Sequence, residues 1–193
     1  MRLEKSYHEM QEILAQRLKP SRYQHSLGVA DTAAALARRV GMNEERARIA
    51  GLLHDCGREY ETAELPQEAR RRGIPIGTIE AAMPLLLHAY VGAYRIYELY
   101  GVNDAMTAQA IWRHTVGGEN MTALDKIIYF ADMIEPSRSY PEAERLRALA
   151  RTAALDEMLL AGLTESIRFV ISKGGLIHPS TIAARNELIL EKR

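Results

Sequence analysis

The chain contains six histidines. Four of them, His25, His54, His88 and His114, fall on stretches of helical periodicity with apolar or small neighbours one turn away. His25 shares a face with Val29, Thr32 and Leu36, and His54 with Ala47, Ala50 and Gly51. His88 goes with Leu85, Gly92 and Ile96, and His114 with Thr107, Ala110 and Ile111. Residues three and four apart stack on one helix face, so all four imidazoles are expected to point inward. Asp55 follows His54 directly in GLLHDCGREY (51–60), and Asp132 lies beside Ile128 and Tyr129. A buried carboxylate is costly unless it is paired or bound to a metal. Imidazole nitrogen and carboxylate oxygen together suit Zn, Fe, Mn and similar divalent ions. One inward histidine reads as a hydrogen-bonded core residue. Four of them with two acids, spread over five helices, cannot all find private partners in an all-α core, and the set points to a metal site.

Other residues carry weaker signals. His8, among Glu4, Lys5, Gln11 and Glu12, reads as solvated. His178 in KGGLIHPS is either a helix-capping turn or part of a ligand loop. Cys56 is a small packing residue or, less simply, a thiolate beside the ligands. Asp125, seven residues before Asp132, either orients a ligand histidine or is a helix-start acid. Lys126 reads as a solvated charge. The tyrosine-rich stretch AYVGAYRIYELY (89–100) reads as core, with base stacking or a dimer surface as alternatives.

The elements that must position these side chains are helices almost throughout. Apolar residues recur at helical spacing, and Gly, Pro, Asn and Ser punctuate them. Helices are expected at about 3–18, at 21–40 (closed by Gly41), and from an Asn43 cap to near Gly57. Others are expected at 62–72, 84–100 (closed by Gly101), 104–115, 121–134, 141–150, 152–173 and 180–191. No alternating strand pattern is convincing. The chain has 193 residues, 47% hydrophobic and 26% charged, which suits a folded all-α domain. A formal net charge of +0 argues against a general grip on nucleic acid. No apolar run approaches the ~20 residues of a membrane span, and the N-terminus lacks a secretory core. A single cysteine excludes an internal disulfide. These features fit a cytoplasmic protein.

The order His25, His54-Asp55, Asp132 resembles the HD superfamily of metal-dependent phosphohydrolases. The stretches HSLGVADTAAALA (25–37), AGLLHDCGRE (50–59), HAYVGAY (88–94), AIWRHTVGGENMTALDKIIYFADMIEPSR (110–138) and KGGLIHPSTIAARN (173–186) sharpen the likeness. Together they resemble its bacterial branch of symmetrical diadenosine tetraphosphatases, which split Ap4A into two ADP. The resemblance implies an all-α HD helical bundle with a buried His/Asp metal site, one domain over 1–193. Residues 1–19 would be an N-terminal helix, 20–140 the metal-binding core, and 141–193 helices completing the nucleotide pocket. It further implies that His25, His54, Asp55 and Asp132 hold a divalent metal, with iron the family's ion and Mn, Co or Mg the alternatives. Asp55, His88 and His114 would hold a second ion, or the two histidines would meet the phosphates. Arg58, Thr115, Arg138 and the loop residues Gly175, Leu176, Ile177 and His178 are implied to line the nucleotide site with His25 and Asp55. A homodimer is also implied.

The chemistry expected is attack of metal-activated water on a central phosphorus, with Asp55, His88 and His114 as the catalytic residues. Arg58 and Arg138 would clamp phosphate oxygens. Competing readings are another HD phosphohydrolase acting on nucleoside triphosphates, ppGpp or other dinucleoside polyphosphates, and a non-catalytic nucleotide sensor. A cyclic-dinucleotide phosphodiesterase is disfavoured because the chain has no His-Asp-Gly-Tyr-Pro segment.

Overall fold

Ser6 opens the first helix with a reciprocal capping box, its hydroxyl accepting from the Glu9 amide while Glu9 accepts from the Ser6 amide. The computed structural model describes residues 1–191 and places that helix, α1, at Tyr7–Arg17. The long helix α2 (Pro20–Arg39) starts on a proline, which is tolerated in a first turn because that turn's N–H groups have no intrahelical partner. Asn43 caps α3 (Glu44–Leu53) by accepting from the Arg46 amide at 2.7 Å. A 3₁₀ turn follows at Cys56–Glu59, then α4 (Leu65–Arg71), α5 (Thr78–Ala82), a 3₁₀ turn at Pro84–Leu86 and α6 (Leu87–Glu98). Asp104 caps α7 (Ala105–Arg113), and a Thr122–Asp125 capping box opens α8 (Ala123–Ile134). The chain closes with α9 (Ala143–Thr152), α10 (Leu155–Ser172) and α11 (Pro179–Leu190).

Three departures from the helical expectation have local causes. Residues 2–3 are not helix but the strand β1 (Arg2–Leu3), antiparallel to β2 (Val102–Asn103), with Leu3 opposite Val102. The Ser6 cap fixes the helix start downstream, and the Glu4 amide bonds the Gly101 carbonyl at 2.9 Å. The helix ending near Gly57 stops at Leu53 and continues as the 3₁₀ turn. There Gly57 lies on the backbone of α6, where a Cβ would meet the His88 carbonyl oxygen at 2.1 Å. Only glycine permits that approach. The helix expected from Pro84 begins three residues later, after a 3₁₀ turn.

Two apolar cores flank α2 and α3. Val29, Ala33 and Leu36 pack on Ala47, Ala50, Ile127, Ile128 and Phe130. Met10, Leu14, Ile49, Leu52 and Leu53 pack on Ile96, Tyr100 and Ile111. Each large side chain buried this way contributes about 1.5–3 kcal/mol. These contacts hold α2, α3, α6, α7 and α8 in fixed relation, and those five elements carry the histidines and aspartates. Among the described residues no helix is long and apolar enough to cross a membrane.

Candidate metal centre

His25 comes from α2, His54 and Asp55 from the end of α3, His88 from the first turn of α6, His114 from the end of α7 and Asp132 from α8. In every imidazole Nδ1 faces an oxygen. His54 meets the Gly51 carbonyl at 2.7 Å, His88 the Leu85 carbonyl at 2.5 Å and His114 the Ile111 carbonyl at 2.7 Å. His25 meets Glu135 Oε1 at 2.9 Å. A carbonyl or carboxylate can only accept, so each Nδ1 donates and each neutral ring turns an Nε2 lone pair to the centre.

The Nε2 atoms meet in pairs, His25–His54 at 3.3 Å and His88–His114 at 3.2 Å. Asp55 divides its two oxygens between the pairs. Oδ2 lies 3.5 Å from His54 Nε2 and 3.9 Å from His25 Nε2. Oδ1 lies 3.0 Å from His88 Nε2 and 3.7 Å from His114 Nε2. Asp132 Oδ1 is 2.9 Å from His25 Nε2 and 3.8 Å from His54 Nε2. Three overlapping sets of donors, His25/His54/Asp55, His54/His114/Asp132 and Asp55/His88/His114, each lie within 4.8 Å. Converging lone pairs and two carboxylates, Asp55 buried and Asp132 half-buried, fit a divalent cation.

The electrostatics agree. Burial pulls the His54 imidazole down to about 4, so it is neutral at neutral pH. Burial works to raise Asp55, but His54, His114 and His88 outweigh it and hold the carboxyl well below its ordinary value. Burial likewise opposes ionisation of Asp132, and His25, His54 and Arg138 overcome it. For His25 the carboxylates of Asp132 and Glu135 outweigh burial, and its proton affinity is raised.

Two side chains at the centre have no counterpart among the sequence expectations. Glu135 is buried, accepts from His25, and is itself held by the Ser137 amide at 2.8 Å and the Ser137 hydroxyl. Gly28, one turn after His25, makes room for it: a Cβ there would meet Glu135 Oε2 at 2.7 Å. Arg22, three residues before His25, donates to Asp55 Oδ2 at 2.9 Å. The signal for both was helical spacing to a ligand, i−3 from His25 and i+3 from Asp132.

The remaining expected residues are placed as follows. Arg138 donates from Nε to the Asp132 carbonyl at 2.8 Å and from Nη2 to its carboxylate. Thr115 Oγ1 is buried and has no hydrogen-bond partner among the described residues. His114, Thr115, Asp132 and Arg138 edge a cleft of about 1070 Å³ whose far wall, from α10, includes Arg168 and Phe169. The side chain of Arg58 is half-buried and makes no hydrogen bond or ion pair among the described residues. Gly175 and Leu176 lie exposed in the α10–α11 loop, Ile177 is half-buried, and none of the three is part of the cleft wall. His178 caps α11 through the Ser180 amide and reaches Glu80 of α5 at 3.1 Å. Cys56 Sγ points to the Gly92 carbonyl in the core, 3.5 Å away, and burial pushes its thiol up. Asp125 caps its own helix and holds Gln109 and Arg113 of α7, the turn that delivers His114. His8 is exposed, Lys126 pairs with Asp156 at 2.5 Å, and of the tyrosines Tyr90 and Tyr100 are buried while Tyr94 and Tyr97 are exposed.

The family model of the HD domain matches residues 22–137. The chain is 36% identical to the symmetrical bis(5'-nucleosyl)-tetraphosphatase of Halalkalibacterium halodurans, over 94% of this chain and 96% of that relative. It is also 36% identical to the Bacillus subtilis enzyme of the same name, over 90% and 92%. Among solved structures it superposes on a Clostridium acetobutylicum protein described as a predicted HD superfamily hydrolase involved in NAD metabolism. There the TM-score is 0.92 and the identity 39%, over 97% of this chain and 98% of the other.

Proposed function

The chain belongs to the HD-domain family and, within it, to the symmetrical bis(5'-nucleosyl)-tetraphosphatases, and from that premise we propose that it hydrolyses diadenosine tetraphosphate at the central anhydride to two ADP. The observation that carries the reading is the division of Asp55's two oxygens between two histidine pairs, beside a cleft of about 1070 Å³. His25, His54, Asp55 and Asp132 would hold one divalent ion, and Asp55, His88 and His114 a second. Iron, the ion the family resemblance implies, is the one proposed; the N/O donor set without thiolate accepts it and equally Mn(II), with Co(II) or Mg(II) as further alternatives. Bound there, such ions polarise phosphoryl oxygens and acidify water.

The chain's own residues do the rest. The Nδ1 hydrogen bonds hold the four rings in one orientation, each with Nε2 on the inner face. Arg138 and Thr115 stand where the cleft meets the centre, and Arg138 would present its guanidinium to phosphate oxygens. One water adds its oxygen to a central phosphorus and the bond from that phosphorus to the bridging oxygen breaks. The bridging oxygen leaves with the other ADP, and the water's protons pass to solvent as both new terminal phosphates ionise. Arg58 would bind phosphate oxygens and the Gly175–His178 segment the nucleoside, both from outside the cleft wall. The protein acts on a free nucleotide in the cytoplasm, not on nucleic acid, in keeping with its net charge of +0. The exposed Phe169, Ile171 and Leu176 support a homodimer.

The test is product analysis. Protein loaded with Fe(II), Mn(II) or Co(II) is given Ap4A and the nucleotides are resolved by chromatography. ADP as the only product is expected. ATP plus AMP would overturn the symmetrical reading, and binding without turnover would favour a sensor.

A further inference from the structure

Arg22 is not used by the chemistry above. It stands in the first turn of α2, on the same face as His25, and 31% of its side chain is exposed. Its Nη1 bond to Asp55 Oδ2 is its one side-chain hydrogen bond among the described residues. A guanidinium has five N–H donors, so four of them have no partner among the described residues. The oxygen it grips also faces His25 and His54. A divalent cation held by those two histidines would draw on that same oxygen, and its charge would repel the guanidinium beside it. Cation loading therefore weakens the arginine's hold on Asp55 and leaves a charged fork at the edge of the centre.

Arg138 holds the other carboxylate, Asp132, from the end of α8. Among the described residues these are the two cationic side chains that reach the aspartates of the centre, one on each acid. A tetraphosphate cut at its middle carries two phosphates on each side of the reacting anhydride. Cleavage at the centre alone requires a comparable grip on both halves.

Resting on the proposed tetraphosphatase reading, we propose that Arg22 is a substrate-binding residue: it passes from Asp55 Oδ2 to the non-bridging oxygens of one diphosphate half, opposite Arg138 on the other. Guanidinium and phosphate match as a bidentate pair. Together the arginines centre the chain of phosphates on the metal ligands. Arg58 makes no such contact to the centre, so the Asp55 side falls to Arg22.

The test uses the full chain with Arg22→Ala and Arg22→Lys, and two probes. Mn(II) alone is titrated into cation-stripped protein, and ADP is titrated into Mn(II)-loaded protein. Arg22→Ala is expected to bind Mn(II) as tightly as the native chain or more tightly, because a competing cation has gone. Its ADP Kd is expected to rise about 10- to 100-fold, the range for losing a charged hydrogen bond. With Ap4A its KM should rise more than its kcat falls, and Arg22→Lys should recover part of the ADP affinity. Weaker Mn(II) binding with unchanged ADP affinity in Arg22→Ala would overturn the proposal and make Arg22 a structural partner of Asp55. Absence of Ap4A turnover by the native chain would sink the parent reading, but the ADP titration would still decide the role of Arg22.

Discussion

Substitution of Gly28 by Ala should weaken cation binding without unfolding the protein, although Gly28 touches no metal ligand. A Cβ at this position would sit 2.7 Å from Glu135 Oε2. The carboxylate must therefore move by several tenths of an ångström. It is not free to do so, because the Ser137 amide (2.8 Å) and hydroxyl hold it, and its other oxygen accepts from His25 Nδ1 at 2.9 Å. The bond to His25 is the one that aims Nε2 at the centre. Losing a carboxylate behind a ligand histidine typically costs about 10- to 100-fold in metal affinity, which is about 1.4–2.8 kcal/mol. Alanine also favours the helix over glycine by about 1 kcal/mol, which offsets part of the clash, so Tm should change little while affinity falls. The assay is a double-mutant cycle on stripped protein titrated with Mn(II), using Gly28→Ala, Glu135→Ala and both together. Gly28→Ala should have almost no further effect once Glu135 is gone. Native Mn(II) affinity in Gly28→Ala, or effects that simply add in the double mutant, would refute the argument.

The remaining predictions concern the same centre. His54 titrates near 4 when folded and near 6.5 when unfolded, so the unfolded chain binds more protons between these values and stability rises with pH across that window. Urea unfolding of the cation-free protein should lose about 3 kcal/mol as pH falls from 7 to 4, offset in part by His25, whose proton affinity is raised on folding; a flat profile would contradict a buried neutral His54. Gly57→Ala, whose Cβ would meet the His88 carbonyl oxygen at 2.1 Å, should cost about 2–3 kcal/mol or more. In a melting curve that appears as a Tm lowered by about 5–10 °C. Cys56→Ala should leave cation stoichiometry unchanged by elemental analysis, because its Sγ faces Gly92. His54→Ala should abolish cation loading and Ap4A turnover together, and activity surviving in it would remove His54 from the ligand set.

The inward placement of His25, His54, His88, His114, Asp55 and Asp132 was legible because helical spacing reports which face a residue shares, and apolar neighbours report which face is buried. The pairing of the rings was not legible. It depends on how closely α3 and α6 approach, which Gly57 permits and no periodicity records. Glu135 was hidden because it follows the last helical residue of α8, where an acid reads as ordinary surface. Arg22 was not singled out, because its meaning lies in Asp55, 33 residues away. The α10 wall of the cleft was beyond reach for the same reason. Arg168 and Phe169 gain significance only when α10 lies beside His114 and Asp132. The strand pair at 2–3 and 102–103 is too short for any alternation to show.

The central claim is that water enters at a central phosphorus of Ap4A beside the His/Asp centre around Asp55. Hydrolysis by the cation-loaded protein in ¹⁸O-labelled water, read by mass spectrometry of the products, tests it most directly. The account predicts ADP as the only product, with one labelled oxygen in the β-phosphate of one of the two ADP molecules formed per turnover. Label appearing in AMP or ATP, or in an α-phosphate, would contradict it.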